Sequence, residues 1–323
     1  TMKLFSLNKD KLDPINGIPF KLERDIQNLI ENNTSEIFDL EFVSSEFRIG
    51  DFRIDSLCFD NETNSFVIIE YKKGSSYSVI DQGYTYLQLL LNNKSDFLLI
   101  LSQHLDKVLN KDDVDWSQSK ILFISQSFNS YQKDSVNFKD LPFELWTIER
   151  FSNNFVALNQ HNPSSNESIG SLKQNKSNSI IKEVSKEVRV YDEFYHSDKL
   201  EPKSKEAWKV FRDKLLEIDG VSTKIIRLYI KFEFRGYGLC YCGFTKNKVN
   251  IGFVRGNIKP DGSKSKNFFD IDDPKSIVKE QSWTYKNGVV GNDYKLQLDK
   301  NSDIDYLVFL VNQKIKNINN NFK

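Results

Sequence analysis

Asp55, Glu70 and Lys72 are the residues whose types and spacing can do chemistry. Asp55 falls in the run Phe52 to Phe59, which reads as a strand, and Glu70 and Lys72 close a second strand, Ser65 to Lys72. Residues two apart in a strand share a face, so Glu70 and Lys72 project together. A hairpin over Asp60 to Asn64 folds the first strand onto the second and carries Asp55 toward Glu70. The result is two carboxylates beside a lysine, which suits phosphodiester hydrolysis. That reaction calls for a metal ion to polarise the phosphate and lower the pKa of a bound water. Mg²⁺ takes oxygen ligands, a few of them carboxylates, with waters and phosphate oxygens filling the rest. Asp55 and Glu70 are the expected ligands, the Tyr71 carbonyl is a third, and Mn²⁺ is an expected substitute. Lys72 is suited to orient or deprotonate the attacking water and to offset charge in the transition state. Lys73 faces the other way; with Arg53 it is assigned to nucleic-acid contact.

Behind this pair lies a predicted helix, Ser78 to Asn92, on which Gln82 and Tyr86 are four apart and therefore neighbours. The order Asp, Glu-x-Lys, Gln-x-x-x-Tyr resembles the RecB-like branch of the PD-(D/E)xK nuclease superfamily. It is more similar still to the catalytic domain of the mismatch endonucleases EndoMS/NucS, where Gly-Arg-Ile-Asp precedes Glu-x-Lys. Here the run is Phe52-Arg53-Ile54-Asp55, so Phe52 replaces the glycine. The resemblance implies catalytic roles for Asp55, Glu70, Lys72, Gln82 and Tyr86, and an additional acid on the first core helix. Glu23 and Glu31 match that position, and Glu23 is favoured. A glutamate opening a helix is also stabilised there by the helix dipole alone. The whole chain resembles a two-domain bacterial and archaeal family whose C-terminal domain has no assigned function. Some of its members carry the label "predicted transport protein". Related C-terminal domains have a His-Trp-Gly stretch where this chain has Trp283-Thr284-Tyr285 and a later Gly291.

The elements that must position these groups follow from periodicity. Lys21 to Asn33 places Leu22, Ile26, Leu29 and Ile30 on one helical face. Glu41 to Arg48 reads as a further strand, and Asp96 to Ser102 and Lys120 to Ser125 as buried strands. Strands mixed with packing helices predict an α/β, restriction-endonuclease-like domain over 1–158, with a mixed central sheet. The Ser- and Asn-rich stretch 159–183 reads as a polar linker. A smaller α+β domain follows over 184–323. It has a helix at Ser204 to Ile218 and strands at Ile225 to Phe234, Gly238 to Thr245, Val249 to Val254 and Asp293 to Leu298, then a closing helix at Ile304 to Ile315.

Charge is unevenly placed. Residues 1–160 hold 16 Lys+Arg against 24 Asp+Glu, a balance of −8, and 161–323 hold 29 against 21, a balance of +8. An acidic half beside a basic half suits a metal site coupled to a polyanion, and DNA is the expected partner. Arg235, Tyr237, Tyr241 and Arg255 are candidates for that contact in the second half, weighed against a merely solvated basic surface. Trp116, Trp146, Trp208 and Trp283 are expected in the core or at domain contacts. Cys58, Cys240 and Cys242 are too few for a disulfide framework and suit a reducing cytoplasm; Cys240 and Cys242 read as small buried hydrophobes. No apolar run approaches the ~20 residues of a membrane helix, so no membrane partner is expected. A homodimer is compatible with all of this. The leading expectation is a Mg²⁺-dependent DNA endonuclease in repair, restriction or phage defence. The rival is a non-catalytic nucleic-acid- or protein-binding module that retains the fold.

Overall fold

The computed structural model describes residues 3–72, 79–165, 167–169, 178–266, 268–285 and 287–321. It divides into two compact units, Thr1–Val190 and Tyr191–Lys323.

The first unit opens with a hairpin of β1 (Leu4–Asn8) and β2 (Lys11–Ile15), followed by β3 (Gly17–Ile18), α1 (Glu23–Glu31) and α2 (Thr34–Phe38). Then come β4 (Glu41–Ile49), β5 (Phe52–Asp60), β6 (Ser65–Lys72), α3 (Val79–Asn92) and α4 (Lys94–His104). The unit continues with β7 (Lys120–Ser125), α5 (Ser130–Ser135), β8 (Phe143–Phe151), β9 (Val156–His161) and α6 (Asn178–Glu187). The central sheet runs β3-β8-β7-β6-β5-β4, with β9 added on β8. β4, β5 and β6 form an antiparallel meander, whereas β6, β7 and β8 are parallel. Parallel neighbours need crossover connections, and helices lie between β6 and β7 and between β7 and β8. The architecture is α/β.

β6 is the middle of this sheet, and its residues from Ser65 to Tyr71 are all buried. Phe66 and Ile68 join a core that includes Leu87, Leu90 and Phe97 from α3 and α4. Val67, Ile69 and Tyr71 join a second core with Ile26 and Ile30 of α1. Burial on both faces explains why the strand reads as a continuous apolar run that turns polar only at its end.

Two expectations are corrected here. Asp96 to Ser102 is not a strand but the body of α4. Phe97, Leu98 and Leu101 are buried while Leu99 is 58% exposed, the spacing of one helical face. A run this short carries no periodicity that separates the two states. The stretch 159–183 is not a linker at either end. Asn159–His161 pair with Leu145–Thr147 of β8, and Ile180, Ile181 and Val184 of α6 pack into the core shared with α3. Its middle lies outside the described residues. That apolar stripe holds α6 in the first unit and moves the boundary to Val190.

The second unit contains α7 (Glu193–Ser197), α8 (Pro202–Leu216), β10 (Val221–Ile225), β11 (Ile230–Phe234), β12 (Tyr237–Phe244) and β13 (Val249–Ile258). It ends with β14 (Lys279–Thr284), β15 (Val290–Leu298) and α9 (Ile304–Asn321). All its strand pairs are antiparallel, in the order β10-β11-β12-β13-β15-β14. Trp208, Phe211 and Leu215 of α8 and Leu310 and Val311 of α9 pack with Phe232, Cys242, Phe253 and Leu296 of the sheet. Cys240 and Cys242 are buried in this core. The strand expected over Ile225 to Phe234 is a hairpin, because the chain turns at Ile226–Tyr229. Trp283, expected in the core or at a domain contact, is 38% exposed and so not in the core. Among the described residues, no helix is long and apolar enough to cross a membrane.

Candidate active site

The ladder between β5 and β6 ends at Ser56 opposite Ile69. One residue further on, a side chain takes over from the main chain: Asp55 Oδ2 accepts the Tyr71 N–H at 3.1 Å. The Asp55 carbonyl in turn accepts from Gln27 Nε2 of α1 at 3.1 Å. Asp55 is thus held at the sheet's opening, its carboxylate by β6 and its carbonyl by α1.

Glu70 is 5% exposed. Its Oε1 accepts from Lys72 Nζ at 2.9 Å and from Gln82 Nε2 at 2.8 Å. Its Oε2 is buried with no hydrogen-bond partner among the described residues. Gln82 also donates to Tyr86 Oη at 3.2 Å, and the Tyr86 hydroxyl donates to the Arg53 carbonyl at 3.3 Å. α3 is thereby fastened to both site strands. Helix position depends on Gly83, where a Cβ would fall 2.6 Å from Cζ of Phe143.

The electrostatics are those of two carboxyl groups short of positive charge. Burial pushes Glu70 up to about 7, Asp55 pushes in the same direction, and Lys72 opposes both. Asp55 is raised chiefly by burial; the Tyr71 amide and Lys72 pull it down, and Glu23 and Glu46 push it up. Burial and the Glu70 charge also raise the Tyr86 phenol, which therefore remains a hydroxyl donor.

Asp55, Glu70, Lys72, Gln82 and Tyr86 are brought together by these contacts. Glu23, the first residue of α1, lies near enough to act on Asp55, with no direct bond to it among the described contacts. Glu31 is engaged elsewhere, accepting from Gln27 at 3.0 Å and from the Ser56 hydroxyl at 2.5 Å. Ser56 also bonds the Tyr71 hydroxyl at 3.1 Å, so the Tyr71 ring belongs to the α1 side. Arg53 sends its guanidinium to Glu46 at 2.9 Å and is more than half exposed. Lys73 lies outside the described residues.

Gln27 and Glu46 are site residues that periodicity did not reveal. Gln27 is buried, and its amide nitrogen lies within 3.3 Å of Glu31, Ser45, Glu46 and the Asp55 carbonyl. An amide has two protons to give, so these acceptors share them. The available signal was a glutamine next to Ile26 on the inward stripe of α1.

Among the described residues, no three His, Cys, Asp or Glu side chains gather to hold a metal ion. Two carboxylates completed by waters and substrate oxygens suit Mg²⁺ better than zinc, which prefers nitrogen and sulfur ligands. Glu70 Oε2, unpartnered among the described residues, and the Asp55 carboxylate, near enough to raise Glu70, fit such an ion.

No family model matches the chain. Three solved structures give partial likenesses. A repair endonuclease from Pyrococcus abyssi is 15% identical at a TM-score of 0.21, over 36% of this chain and 43% of its own. EndoMS in complex with double-stranded DNA is 16% identical at 0.21, over 39% and 42%. Pyrococcus furiosus SfsA in complex with Ca²⁺ is 10% identical at 0.22, over 42% and 62%. The chain thus spans less than two thirds of each solved chain. An uncharacterised protein of Haemophilus influenzae is 37% identical over 326 residues, covering 98% of this chain and 100% of its own. The chain belongs to the family of that Haemophilus influenzae protein.

Proposed function

We propose that the first unit is a Mg²⁺-dependent endonuclease that hydrolyses phosphodiester bonds in DNA. The observation that carries this reading is the divided Glu70 carboxylate. Oε1 is fixed by Lys72 and Gln82, and Oε2 is buried with no hydrogen-bond partner among the described residues. A buried polar atom without a partner costs about 1–3 kcal/mol, so an ion or substrate group that satisfies it is favoured. Asp55 and Glu70 would hold Mg²⁺, with the Tyr71 carbonyl as a further oxygen.

When bound, the ion supplies charge neutralisation at the phosphate and a more acidic water. The chain's own groups do the rest. Lys72 orients the attacking water through its ammonium and offsets negative charge as the phosphorane-like transition state develops. Gln82 keeps Glu70 in one rotamer, and Tyr86 anchors Gln82 to β5. Glu23 is a second-rank acid, raising the negative potential around Asp55. Arg53, exposed at the rim, is suited to the sugar-phosphate backbone, as is Lys73. The test is incubation of linear and circular DNA with the protein and Mg²⁺, beside an Asp55→Asn control. Cleavage that needs both the metal and Asp55 is expected; equal cleavage by the control would remove the assignment.

A further inference from the structure

The sheet of the second unit has one face covered by α8 and α9, and its other face carries a line of lysines that only strand register reveals. Lys224 of β10 lies opposite Lys231 of β11, which lies opposite Tyr241 of β12. Tyr241 lies opposite Gly252 of β13, Gly252 opposite Lys295 of β15, and Lys295 opposite Lys279 of β14. One row therefore crosses six strands, about 24 Å at ~4.8 Å per strand, with four lysines in it.

Two aromatic rings lie along this face, each over a glycine. A Cβ on Gly252 would fall 2.2 Å from Cζ of Tyr241, and one on Gly291 would fall 2.4 Å from Cε2 of Trp283. The glycines let the rings lie against the sheet. Tyr241 is covered by Lys295, whose Nζ sits 4.2 Å from its ring centroid. Trp283 is 38% exposed. At the β14 end the row enters a cavity of about 490 Å³ whose wall includes Lys275, Lys279, Lys295 and the amides of Asn250 and Gln297.

We infer that this face binds a single-stranded nucleic acid, its phosphates along the lysine row and a base stacked on Trp283. The charge fits a polyanion, and an indole laid open on a sheet accepts any unpaired base. Lys231 pairs with Glu233 at 3.1 Å and Lys295 with Asp293 at 3.0 Å, two residues away along each strand. A phosphate bound along the row would share or displace these two contacts. The inference concerns binding by residues 191–323 and does not depend on the cleavage chemistry.

The test uses the full chain in EDTA, so that cleavage plays no part, with a labelled ~20-nucleotide single-stranded DNA titrated at several salt concentrations. Lys224→Glu with Lys279→Glu is expected to weaken binding about tenfold and to flatten the log–log salt slope by about 1.4, at ~0.7 per phosphate on single strands. Trp283→Ala is expected to weaken binding about fivefold or more with the slope kept. Lys203→Glu with Lys209→Glu makes the same charge change on α8, across the sheet, and is expected to leave binding unaltered. The inference is overturned if the row variant binds like the parent chain, or if the α8 variant weakens binding as much as the row variant. Asp55→Asn, run in parallel, keeps this affinity while abolishing Mg²⁺-dependent cleavage, which separates a failure here from a failure of the nuclease reading.

Discussion

The Asp55 carboxylate stands where a strand carbonyl would stand, accepting the Tyr71 N–H at 3.1 Å just past the last paired residues of β5 and β6. One side chain thus serves both the sheet and the site. Its two duties separate by substitution. Asp55→Asn keeps an acceptor for the Tyr71 amide and should be close to the parent in stability. Asp55→Ala leaves that amide unpaired and should lose about 1–3 kcal/mol. Both should abolish cleavage. Denaturant unfolding beside a cleavage assay checks this, and equal stability of the two variants would show that the bond matters little to the fold.

Gln82 donates to Glu70 at 2.8 Å and is proposed to orient it. Gln82→Ala should lower activity about 10- to 100-fold, the usual effect of losing a group that orients a metal ligand. Lys72→Met should lower turnover far more than DNA affinity if, as proposed, its role is in the transition state. A large loss of affinity with turnover intact would make Lys72 a phosphate anchor instead.

Mg²⁺ should stabilise the chain independently of any substrate. A ligand at 100 times its Kd adds about 2.7 kcal/mol to the folded state. The melting temperature should rise with added Mg²⁺, fall back with EDTA, and stay flat in Glu70→Gln. An unchanged shift in that variant would place the ion elsewhere.

Gly83→Ala tests how the helix is seated. Alanine normally favours a helix over glycine by about 1 kcal/mol. Here its Cβ would meet the Phe143 ring at 2.6 Å, and that ring packs edge-on against Tyr84 at 5.0 Å. Overpacking of this kind costs about 1–3 kcal/mol, so the net effect should be destabilising. Because Gln82 and Tyr86 ride on the same helix, activity should fall with it. A more stable, fully active variant would show that α3 has room to move.

The second unit should respond to pH through Asp293 and Lys314. Burial pushes Asp293 up to about 6 and pulls Lys314 down to about 8. A raised acid contributes stability that is present below its unfolded value of 3.8 and is lost as pH rises through about 6. A lowered lysine contributes stability that is present above 10.5 and is lost as pH falls through about 8. Between about 6 and 8 the fold carries both buried charges, so hydrogen-exchange protection of β13 and β15 should be lowest there. Asp293→Asn should flatten the acid side. Protection that is even across this range in the parent chain would refute the linkage.

Some of this molecule was legible without coordinates because strand and helix periods are properties of the backbone. Two residues apart in a strand must share a face, and four apart in a helix must be neighbours, so Glu70 with Lys72 and Gln82 with Tyr86 were readable as pairs. α4 was not, because five apolar residues in a row carry no period. β14 was not, because all six of its residues are exposed and it is held by pairing with β15 and an ion pair from Arg255 to Glu280 rather than by an apolar face. The Gln27 amide on the Asp55 carbonyl and the lysine row join groups far apart in the chain, and the Gln82 bond to Glu70 needs α3 to close over the end of β6. Their meeting depends on strand order, on register and on which helix closes which face. Those are settled by the burial of whole surfaces and the pairing of main-chain groups across the sheet, and no local spacing of residues encodes them.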